Sequence, residues 1–342
     1  MKILQIITLC ELGGAQSVVI NLANELCKEH EVIVASGEGD GKMWAMLNPK
    51  IKQERCQYLK RALSPINDLR TLFTFWNLYR KYKPDVIHLH SSKAGMLGRI
   101  AFPSSKVIYT VHGFDSIRLA YRKFLPIERF MQGACKAIAG VSNYDKKNML
   151  SENINRNVYT IYNGIKENTA EEKLSLPLNG YKKIILCIAR VAKPKRLDVF
   201  LETAKLLPEY GFIWIGNQQT VQQHPQNVIF LGNIPNAAKY NSIADLFMLP
   251  SDFEGLPMVI IEAMSHKRPI VASNVGGISE IVRNGENGFT VENSAEEFAK
   301  RIKEILEDDD KHKQFSQNSY KRFLQDLTVE KMVESYLELY KK

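Results

Sequence analysis

The sequence has few cysteines, and none stands in a metal-binding or redox pattern. Its five cysteines are scattered along 342 residues, with no C-x-x-C pair. An odd number of isolated cysteines predicts neither a disulfide framework nor a structural zinc site. It is typical of a protein of the reducing cytoplasm.

Long apolar runs are also missing. The N-terminal segment "ILQIITLC" is too short for the core of a signal peptide, and no cleavage pattern follows it. Nowhere does an uninterrupted apolar run reach the roughly 20 residues that a membrane-spanning helix needs. We therefore expect a cytoplasmic protein that is neither secreted nor membrane-spanning.

Acidic residues are outnumbered by basic ones in the first half of the sequence but not in the second. Residues 1–165 hold 23 Lys and Arg against 13 Asp and Glu, a net charge of +10, whereas residues 166–342 hold 23 against 24, a net charge of −1. This asymmetry predicts an anionic partner such as a membrane surface, a phosphate-bearing substrate or nucleic acid, although solubility alone explains it equally well. Since no nucleic-acid recognition motif accompanies the charge, we expect no nucleic-acid partner.

What the sequence does contain is a regular alternation of apolar strands and amphipathic helices. Both halves open with a strand, a short loop and a helix, in "MKILQIITLCELGGAQSVVINLANEL" and "YKKIILCIARVAKPKRLDVFLETAKLL". Further strand candidates are "HEVIVAS", "PDVIHLHSS", "SKVIYTVH", "KAIAGVS", "YGFIWIG", "NVIFLG", "ADLFMLP" and "RPIVAS". The pattern predicts two doubly wound α/β domains with parallel sheets.

The boundary between the two domains is expected at the turn Asn163-Gly164. We assign residues 1–163 to the first domain and 164–327 to the second, and expect a C-terminal helix over 328–342 to pack back on the first. Ligands of open α/β sheets bind beyond the carboxyl ends of the strands. Two such domains facing each other predict an interdomain cleft.

Two strand-to-helix loops carry groups that suit an anion. The pair Gly13-Gly14 precedes the first helix, so bare N–H groups and a helix N-terminus can face a phosphate there, although many such turns use glycine for backbone reasons only. The second loop, "ARVAKPKR", offers the cations Arg190, Lys193, Lys195 and Arg196. A guanidinium and an ammonium together can neutralise a diphosphate, but a cationic loop is more often simply solvated.

The stretch "DFEGLPMVIIEAM", residues 252–264, is more specific. Pro257 suits the first position of a helix, which places Glu254 in the loop before it and Glu262 inside it. Glu254 can then face a ligand together with backbone N–H groups, those of Gly255, Leu256 and Met258. A carboxylate among apolar neighbours, as at Glu262, needs hydrogen-bond donors from a ligand or a neighbour. Alternatively, Glu254 favours the helix dipole and Glu262 points to solvent.

These loops, together with "HGFD" and "SNVGGISEIVRNGENGFTVE", resemble the retaining glycosyltransferases of family 4, which have the GT-B architecture of two facing Rossmann-like domains. The resemblance extends over essentially the whole chain and is most specific over residues 245–291. Glu254 and Glu262 match the paired glutamates of that family. Two departures concern the phosphate loop and the acceptor side: Ala189 replaces a usual glycine, and Gln16-Ser17 a common Glu-Arg pair.

By position, the resemblance implies a role for each candidate residue. Glu254 would lie against the donor sugar, as would His112, while Glu262 would bind the ribose hydroxyls. Arg190 and Lys195 would hold the donor diphosphate together with the Gly13-Gly14 loop, and Lys193 competes with Lys195 for that role. The turn Gly276-Gly277 would stand beside Glu280, and the remaining donor-binding residues are Gly255, Leu256, Pro257 and Met258.

The resemblance implies a transferase that uses a nucleotide sugar, here expected to be UDP-linked, and neither a metal nor another cofactor. Acidic clusters at Asp308–Asp310 and at Glu38–Asp40 are better explained as solvated surface. His88 and His90 share one face of a strand, but a pair without a third ligand is more typical of packing or of cleft lining than of a metal site. We expect no metal site.

Two basic, aromatic stretches bear on the acceptor, which the resemblance and the charge together predict to be a lipid-linked saccharide of a bacterial surface polysaccharide or similar glycan. In "NDLRTLFTFWNLYRKYK", one helical face carries Leu69, Leu72, Phe73 and Trp76. Either stretch can lie on an anionic bilayer, but for this one we expect the apolar face to pack on the sheet. In "RLAYRKFLPIERF", Arg118, Arg122, Lys123 and Arg129 accompany aromatics at the expected surface. The enzyme would thus be peripheral to the inner face of an anionic membrane.

Two other functions fit the same residues. One is a GT-B-fold nucleotide-sugar epimerase or sugar-phosphate synthase, which would form a soluble product without an acceptor. The other is a non-catalytic nucleotide-sugar-binding subunit of a transferase pair. Retention of Glu254, Glu262, Arg190 and Lys195 argues against the second.

Overall fold

The chain folds into two compact units in a computed structural model that describes residues 1–167, 174 and 180–342. One unit consists of Met1–Lys166 and Thr328–Lys342, and the other of Glu167–Leu327. No helix within those described ranges is long and apolar enough to cross a bilayer.

Over its described residues, the first unit contains a seven-stranded parallel sheet. Its strands are β1 (Lys2–Ile7), β2 (Glu31–Ser36), β3 (Lys52–Arg55), β4 (Val86–His90), β5 (Val107–Val111), β6 (Ala137–Gly140) and β7 (Val158–Thr160). They lie in the order β3-β2-β1-β4-β5-β6-β7, so the order reverses between β1 and β4. β4, β5 and β6 are buried along their whole length, as expected for central strands covered on both faces.

Helices connect these parallel strands. They are α1 (Gly14–Leu26), α2 (Lys42–Ala45), α3 (Pro65–Tyr82), α4 (Ser92–Ala101), α5 (Leu125–Met131) and α6 (Asn143–Ser151). Short 3-10 turns cover Ser104–Lys106 and Arg122–Phe124, and Ser116–Ala120 forms a π turn.

The second unit repeats this plan with a parallel sheet that is six-stranded over the residues described. Its strands are β8 (Ile184–Ile188), β9 (Gly211–Ile215), β10 (Val228–Phe230), β11 (Leu246–Leu249), β12 (Ile270–Ser273) and β13 (Gly288–Val291). The helices are α7 (Leu197–Leu206), α8 (Met258–Ser265), α9 (Ile278–Ile281), α10 (Ala295–Leu306) and α11 (Asp309–Asp326), with a 3-10 turn over Ala237–Ile243. The order β10-β9-β8-β11-β12-β13 reverses between β8 and β11. The predicted pair of doubly wound α/β domains is therefore confirmed.

The chain returns to the first unit in its last helix, α12 (Val329–Lys341), which packs on α1. The return is held by the Val329 amide, which donates to the Ile165 carbonyl at 2.8 Å. Gly164 stands at this crossing, where an added Cβ would lie 2.2 Å from the Thr328 carbonyl oxygen. The predicted turn at Asn163-Gly164 thus needs a residue without a side chain.

All ten strands predicted from apolar runs are present, and the three with no candidate run lie at the sheet edges. One of them, β7, has only three residues and borders the first sheet on the side opposite β3. β3 has the sequence KQER, with no residue fully buried, and borders the first sheet. β13 has the sequence GFTV and borders the second. Edge strands are less buried than central ones and so leave a weaker apolar signal.

The expectation that α3 buries its leucine-rich face on the sheet is wrong. Leu69, Phe73 and Trp76 are exposed, whereas Phe75 and Leu78 on the opposite side are buried in the core. Of the predicted face, Leu72 alone packs against that core. Both faces of this helix carry large apolar residues, so periodicity alone does not decide which of them meets the sheet.

Candidate active site

Two loops of the second unit meet at the switch point of its sheet. One follows β8 and leads into α7, and the other follows β11 and leads into α8. Their backbones pair where the Arg196 amide donates to the Pro250 carbonyl at 3.2 Å and the Asp252 amide donates to the Pro194 carbonyl at 2.9 Å. Because β8 and β11 are neighbours, their carboxyl ends bring the cationic loop against the acidic one.

This pairing joins Lys195 to Glu254. The Lys195 ammonium forms an ion pair with Glu254 Oε1, and Ser251 Oγ donates to the same oxygen at 2.7 Å. The side chains of Lys195 and Glu254 are 22% and 12% exposed, so the pair is shielded but reachable from solvent. The second carboxylate oxygen, Oε2, has no partner among the described residues. One oxygen is thus fixed by the protein while the other is open to a ligand.

A glycine turn fixes the backbone beneath Glu254. Gly276 has a φ of 59°, and a Cβ there would lie 1.9 Å from the Glu254 carbonyl oxygen. The next residue, Gly277, donates its amide to the Gly255 carbonyl at 2.8 Å. The predicted Gly276-Gly277 turn therefore packs directly under the acidic loop, and any side chain at Gly276 would displace it.

Helix α8 begins one residue later than predicted, with Pro257 as its N-cap. Leu256 and Met258 are buried on either side of that cap, and Gly255 lies in the loop before it. The backbone N–H groups in the first turn of a helix lack intrahelical acceptors, so this end can offer donors to an anion.

Glu262 is the fifth residue of α8 and lies in an apolar environment. Its neighbours Ile260, Ile261 and Ala263 are fully buried. Its carboxyl group is half-buried and has no hydrogen-bond or ion-pair partner among the described residues. Burial raises its pKa to about 7. A ligand with hydroxyl donors would satisfy this carboxyl group.

The cationic loop contributes its side chains unequally. Arg190 and Lys193 are exposed, and neither side chain has a partner among the described residues. Lys195 is the lysine that contacts Glu254, and Arg196 pairs instead with Asp198 at 2.6 Å. Of the two lysines left open by the sequence, Lys195 is thus the one held beside the acidic loop.

Sequence reasoning missed the polar side chains that hold the acidic loop in place. The Ser251 amide donates to Ser273 Oγ at 2.8 Å, and Asn293 Nδ2 donates to the Ser251 carbonyl at 2.8 Å. Ser273 ends β12, and Asn293 lies two residues beyond β13. Ser273 could have been found from the sequence, because it is a polar residue at the carboxyl end of a buried strand, the end at which such sheets bind ligands.

In the first unit, Gly13 and Gly14 occupy the corresponding loop after β1. Gly13 is the N-cap of α1 and Gly14 is its first residue. The amide of Ser17 donates to the Gly13 carbonyl at 2.8 Å, and the Gln16 side chain folds back to donate to the Leu9 carbonyl at 3.2 Å. The loop therefore has the strand-to-helix geometry that an anion site requires.

His112 follows β5, is half-buried and stands at the end of a row that contains the buried histidines His88 and His90. Its Nε2 lies 3.0 Å from His90 Nδ1, and the rings of His90 and His88 have centroids 4.0 Å apart. His88 bonds in turn to Tyr340 OH and to Thr110 Oγ1, each at 2.7 Å. Burial lowers the pKa of His112 to about 4 and those of His88 and His90 well below 6.5. All three rings are therefore neutral at pH 7. His88 and His90 are fully buried and pack inside the first unit, which is one of the two roles that the sequence left open for them.

This histidine row predicts that the first unit is acid-labile. In the unfolded chain each histidine binds a proton below about pH 6.5, whereas buried His88 and His90 stay neutral in the fold. Stability is therefore present above that pH and is lost as pH falls, by at most about 2 kcal/mol per histidine at about pH 5. Urea unfolding at about pH 7 and pH 5 measures the loss. His90→Gln should make the pH dependence shallower; equal stability at both pH values would contradict the assignment.

In the basic segment after "HGFD", three of the four predicted surface cations form ion pairs with acidic residues of the first unit. Arg118 pairs with Asp115 at 2.8 Å, while Arg122 and Arg129 both pair with Glu152, at 2.8 and 2.7 Å. These cations brace the fold around Glu152 and Asp115. They are less available to an anionic surface than the sequence alone indicated.

The two acidic clusters accept hydrogen bonds from backbone amides of their own units. Asp308 caps α11 by accepting from the Lys311 amide at 2.9 Å, and Glu38 accepts from the Arg61 amide at 3.0 Å. Across the part of the chain that the structure describes, no three His, Cys, Asp or Glu side chains converge as a metal site would require.

Comparison with protein families agrees with this geometry. The model described as "Glycosyltransferase Family 4" matches residues 12–168, and that described as "Glycosyl transferases group 1" matches residues 168–322. Together the two models cover the chain from the Gly13-Gly14 loop to within α11.

Curated relatives align over nearly the whole chain. An Escherichia coli UDP-Gal:alpha-D-GlcNAc-diphosphoundecaprenol alpha-1,3-galactosyltransferase is 28% identical, with 96% of this chain and 94% of the relative covered. The E. coli O-antigen biosynthesis glycosyltransferase WbnH is 26% identical, with 98% and 97% covered. Among solved structures, Anabaena HepE in complex with UDP and glucose has a TM-score of 0.83 at 20% identity, with both chains fully covered. The chain belongs to the family-4 glycosyltransferases and has their GT-B fold.

Proposed function

We propose that this glycosyltransferase moves a sugar from a UDP-sugar to a lipid-linked saccharide, with retention of anomeric configuration and without a metal ion. The observation that carries the proposal is the group formed by Lys195, Glu254 and Glu262 in the second unit. It combines a cation for a diphosphate, a carboxylate with one open oxygen and a half-buried carboxyl group without a partner among the described residues.

Each member of this group suits one part of a nucleotide sugar. Arg190 and Lys195 face the diphosphate with a guanidinium and an ammonium, near the N–H groups at the start of α8. Glu254 accepts from the hydroxyls of the donor sugar, and Glu262 accepts from the ribose. The placement of Gly13 and Gly14 at the diphosphate and of His112 at the sugar remains a prediction of the family resemblance.

Transfer breaks the bond between the anomeric carbon and the diphosphate oxygen, and the bonding electrons leave with UDP. The acceptor hydroxyl forms the new bond on the same face, and its proton passes to the departing phosphate oxygen. Negative charge grows on UDP while the sugar becomes oxocarbenium-like. Arg190, Lys195 and Glu254 therefore act most strongly in the transition state.

The names of relatives support the acceptor class. The E. coli galactosyltransferase acts on a diphosphoundecaprenol-linked saccharide, and WbnH belongs to O-antigen biosynthesis. HepE has also been solved with UDP-glucose. We extend these properties to this chain as a bacterial surface-glycan transferase at the cytoplasmic face of the membrane.

The proposal is tested by incubating the full chain with a panel of UDP-sugars and polyprenyl-diphosphate-linked GlcNAc, with and without a chelator. We expect UDP release together with an acceptor whose mass increases by one sugar residue, and retained activity in the chelator. A soluble sugar product formed without acceptor would instead support the epimerase or synthase alternative. Complete loss in the chelator, restored by a divalent ion, would overturn metal independence.

The raised pKa of Glu262 predicts a pH-dependent donor affinity. With its pKa near 7, the carboxyl group is largely protonated at about pH 6, whereas donor hydroxyls bind better to the charged form. The Kd of a UDP-sugar should therefore fall by about tenfold as pH rises from about 6 to 8. Titration calorimetry measures it, and a UDP-sugar, unlike free UDP, has no phosphate that titrates in this range.

Glu262→Gln is the matched control, because it keeps the size of the side chain and removes its titration. This variant should bind more weakly at pH 8 and show no dependence on pH. An equal pH dependence in both proteins would show that another group is responsible.

A further inference from the structure

Helix α3 has a large apolar stripe on its solvent side. Ile66, Leu69, Phe73 and Trp76 are 68%, 57%, 60% and 46% exposed. Their spacing of three and four residues aligns them along one side of the helix. Leu63, just before α3, is 65% exposed and extends the stripe.

The charges beside this stripe are positive. Arg70 and Arg80 are exposed on the same side, and the Arg80 guanidinium stands 4.6 Å from the centroid of the Trp76 ring. Lys60 and Arg61 are exposed just before the helix. The one acid of α3, Asp68, is neutralised by Lys93 at 2.6 Å. The apolar stripe with its arginines, called here the α3 face, therefore presents no unpaired acid.

We propose that the α3 face docks on an anionic lipid bilayer, with Phe73 and Trp76 inserted among the headgroups and Arg70 and Arg80 beside lipid phosphates. Apolar residues flanked by arginine, with tryptophan at the boundary, are suited to that interface. The proposal rests on the proposed function, because a lipid-linked acceptor would be held in the same bilayer.

Two observations favour the α3 face over the alternatives. In the segment after "HGFD", Arg118, Arg122 and Arg129 are paired with acids, so that segment offers less free charge. A second copy of the chain is disfavoured because a two-fold contact through the α3 face would bring its arginines near their own copies. An anionic bilayer satisfies both the apolar and the basic side chains.

The test is co-sedimentation of the full chain with vesicles of phosphatidylglycerol and phosphatidylcholine, and with vesicles of phosphatidylcholine alone. We expect the natural protein to bind the anionic vesicles and to be partly released by salt. The double variant Phe73→Ser/Trp76→Ser should bind at least about tenfold more weakly. Arg70→Gln/Arg80→Gln should lose mainly the preference for anionic lipid.

A matched control is Leu206→Ser/Leu324→Ser, which removes two exposed leucines from the second unit, 48% and 43% exposed. It should bind vesicles as the natural protein does. All variants should hydrolyse the UDP-sugar donor slowly at the same rate, which shows that they are folded. Equal vesicle binding by the Phe73/Trp76 variant and the natural protein would overturn the proposal, as would a dimer in solution that this variant dissociates.

Failure of docking is distinguishable from failure of the proposed function. Transfer to a lipid-linked acceptor in detergent, without vesicle binding by the natural protein, would refute docking and leave the function standing. Vesicle binding through the α3 face, with transfer to a water-soluble acceptor only, would support docking and refute the acceptor class.

Discussion

Replacing Glu254 with glutamine should lower the rate of sugar transfer by about 100- to 1000-fold, the range found when one transition-state contact is removed. Glutamine keeps the size of the side chain, but it lacks the negative charge that faces the developing oxocarbenium. Lys195 would at the same time lose its ion-pair partner. UDP should therefore bind as well as before, or more tightly, because the freed ammonium is available to the diphosphate.

The matched comparison is Asp252→Asn, which removes a carboxylate from the same loop and leaves the ion pair between Lys195 and Glu254 intact; Asp252 is exposed and contacts Arg196 at 3.3 Å. We expect that variant to keep most of the activity. The measurements are kcat from UDP release and Kd for UDP by calorimetry. Near-normal turnover by Glu254→Gln would show that this carboxylate does not meet the reacting sugar.

Lys195→Ala should also cost about 100- to 1000-fold in kcat, because it removes a fixed cation from the leaving diphosphate. The loss should be larger than that for UDP binding, since the negative charge on the leaving group increases toward the transition state. Lys195→Arg should restore part of the rate by restoring the charge. Steady-state kinetics with a UDP-sugar and acceptor give both quantities.

Lys193→Ala provides the control, because Lys193 is exposed two residues away in the same loop. It should remain within a few-fold of the natural rate, as is usual for surface changes. A severe loss in Lys193→Ala with normal activity in Lys195→Ala would reverse the choice between the two lysines. Their roles at the diphosphate would then have to be exchanged.

The fold was predictable because burial leaves a strong trace in the sequence. Central strands such as β4 and β5 are covered on both faces and read as continuous apolar runs. The polar edge strand β3 carries no such run, and its place is decided by pairing with β2. The exposed side of α3 shows the opposite case, in which apolar side chains lie on the surface.

The candidate site was predictable in part. The spacing of Glu254 and Glu262 around a helix start follows from local sequence, whereas the contact between Lys195 and Glu254 joins residues 59 positions apart and depends on sheet order. The bonds of Ser273 and Asn293 to the Ser251 backbone depend on the same order. Likewise, the link from His88 to Tyr340 requires the chain to return to the first unit through α12. No single-sequence pattern specifies such contacts.

The most direct measurement is the position of UDP in crystals of the full chain soaked with it. We predict density for the ribose hydroxyls at the Glu262 carboxylate, and for the diphosphate within hydrogen-bond distance of Lys195 Nζ and the start of α8. UDP bound elsewhere, with Glu262 still unpartnered and Lys195 still paired only with Glu254, would contradict the assignment of the donor site.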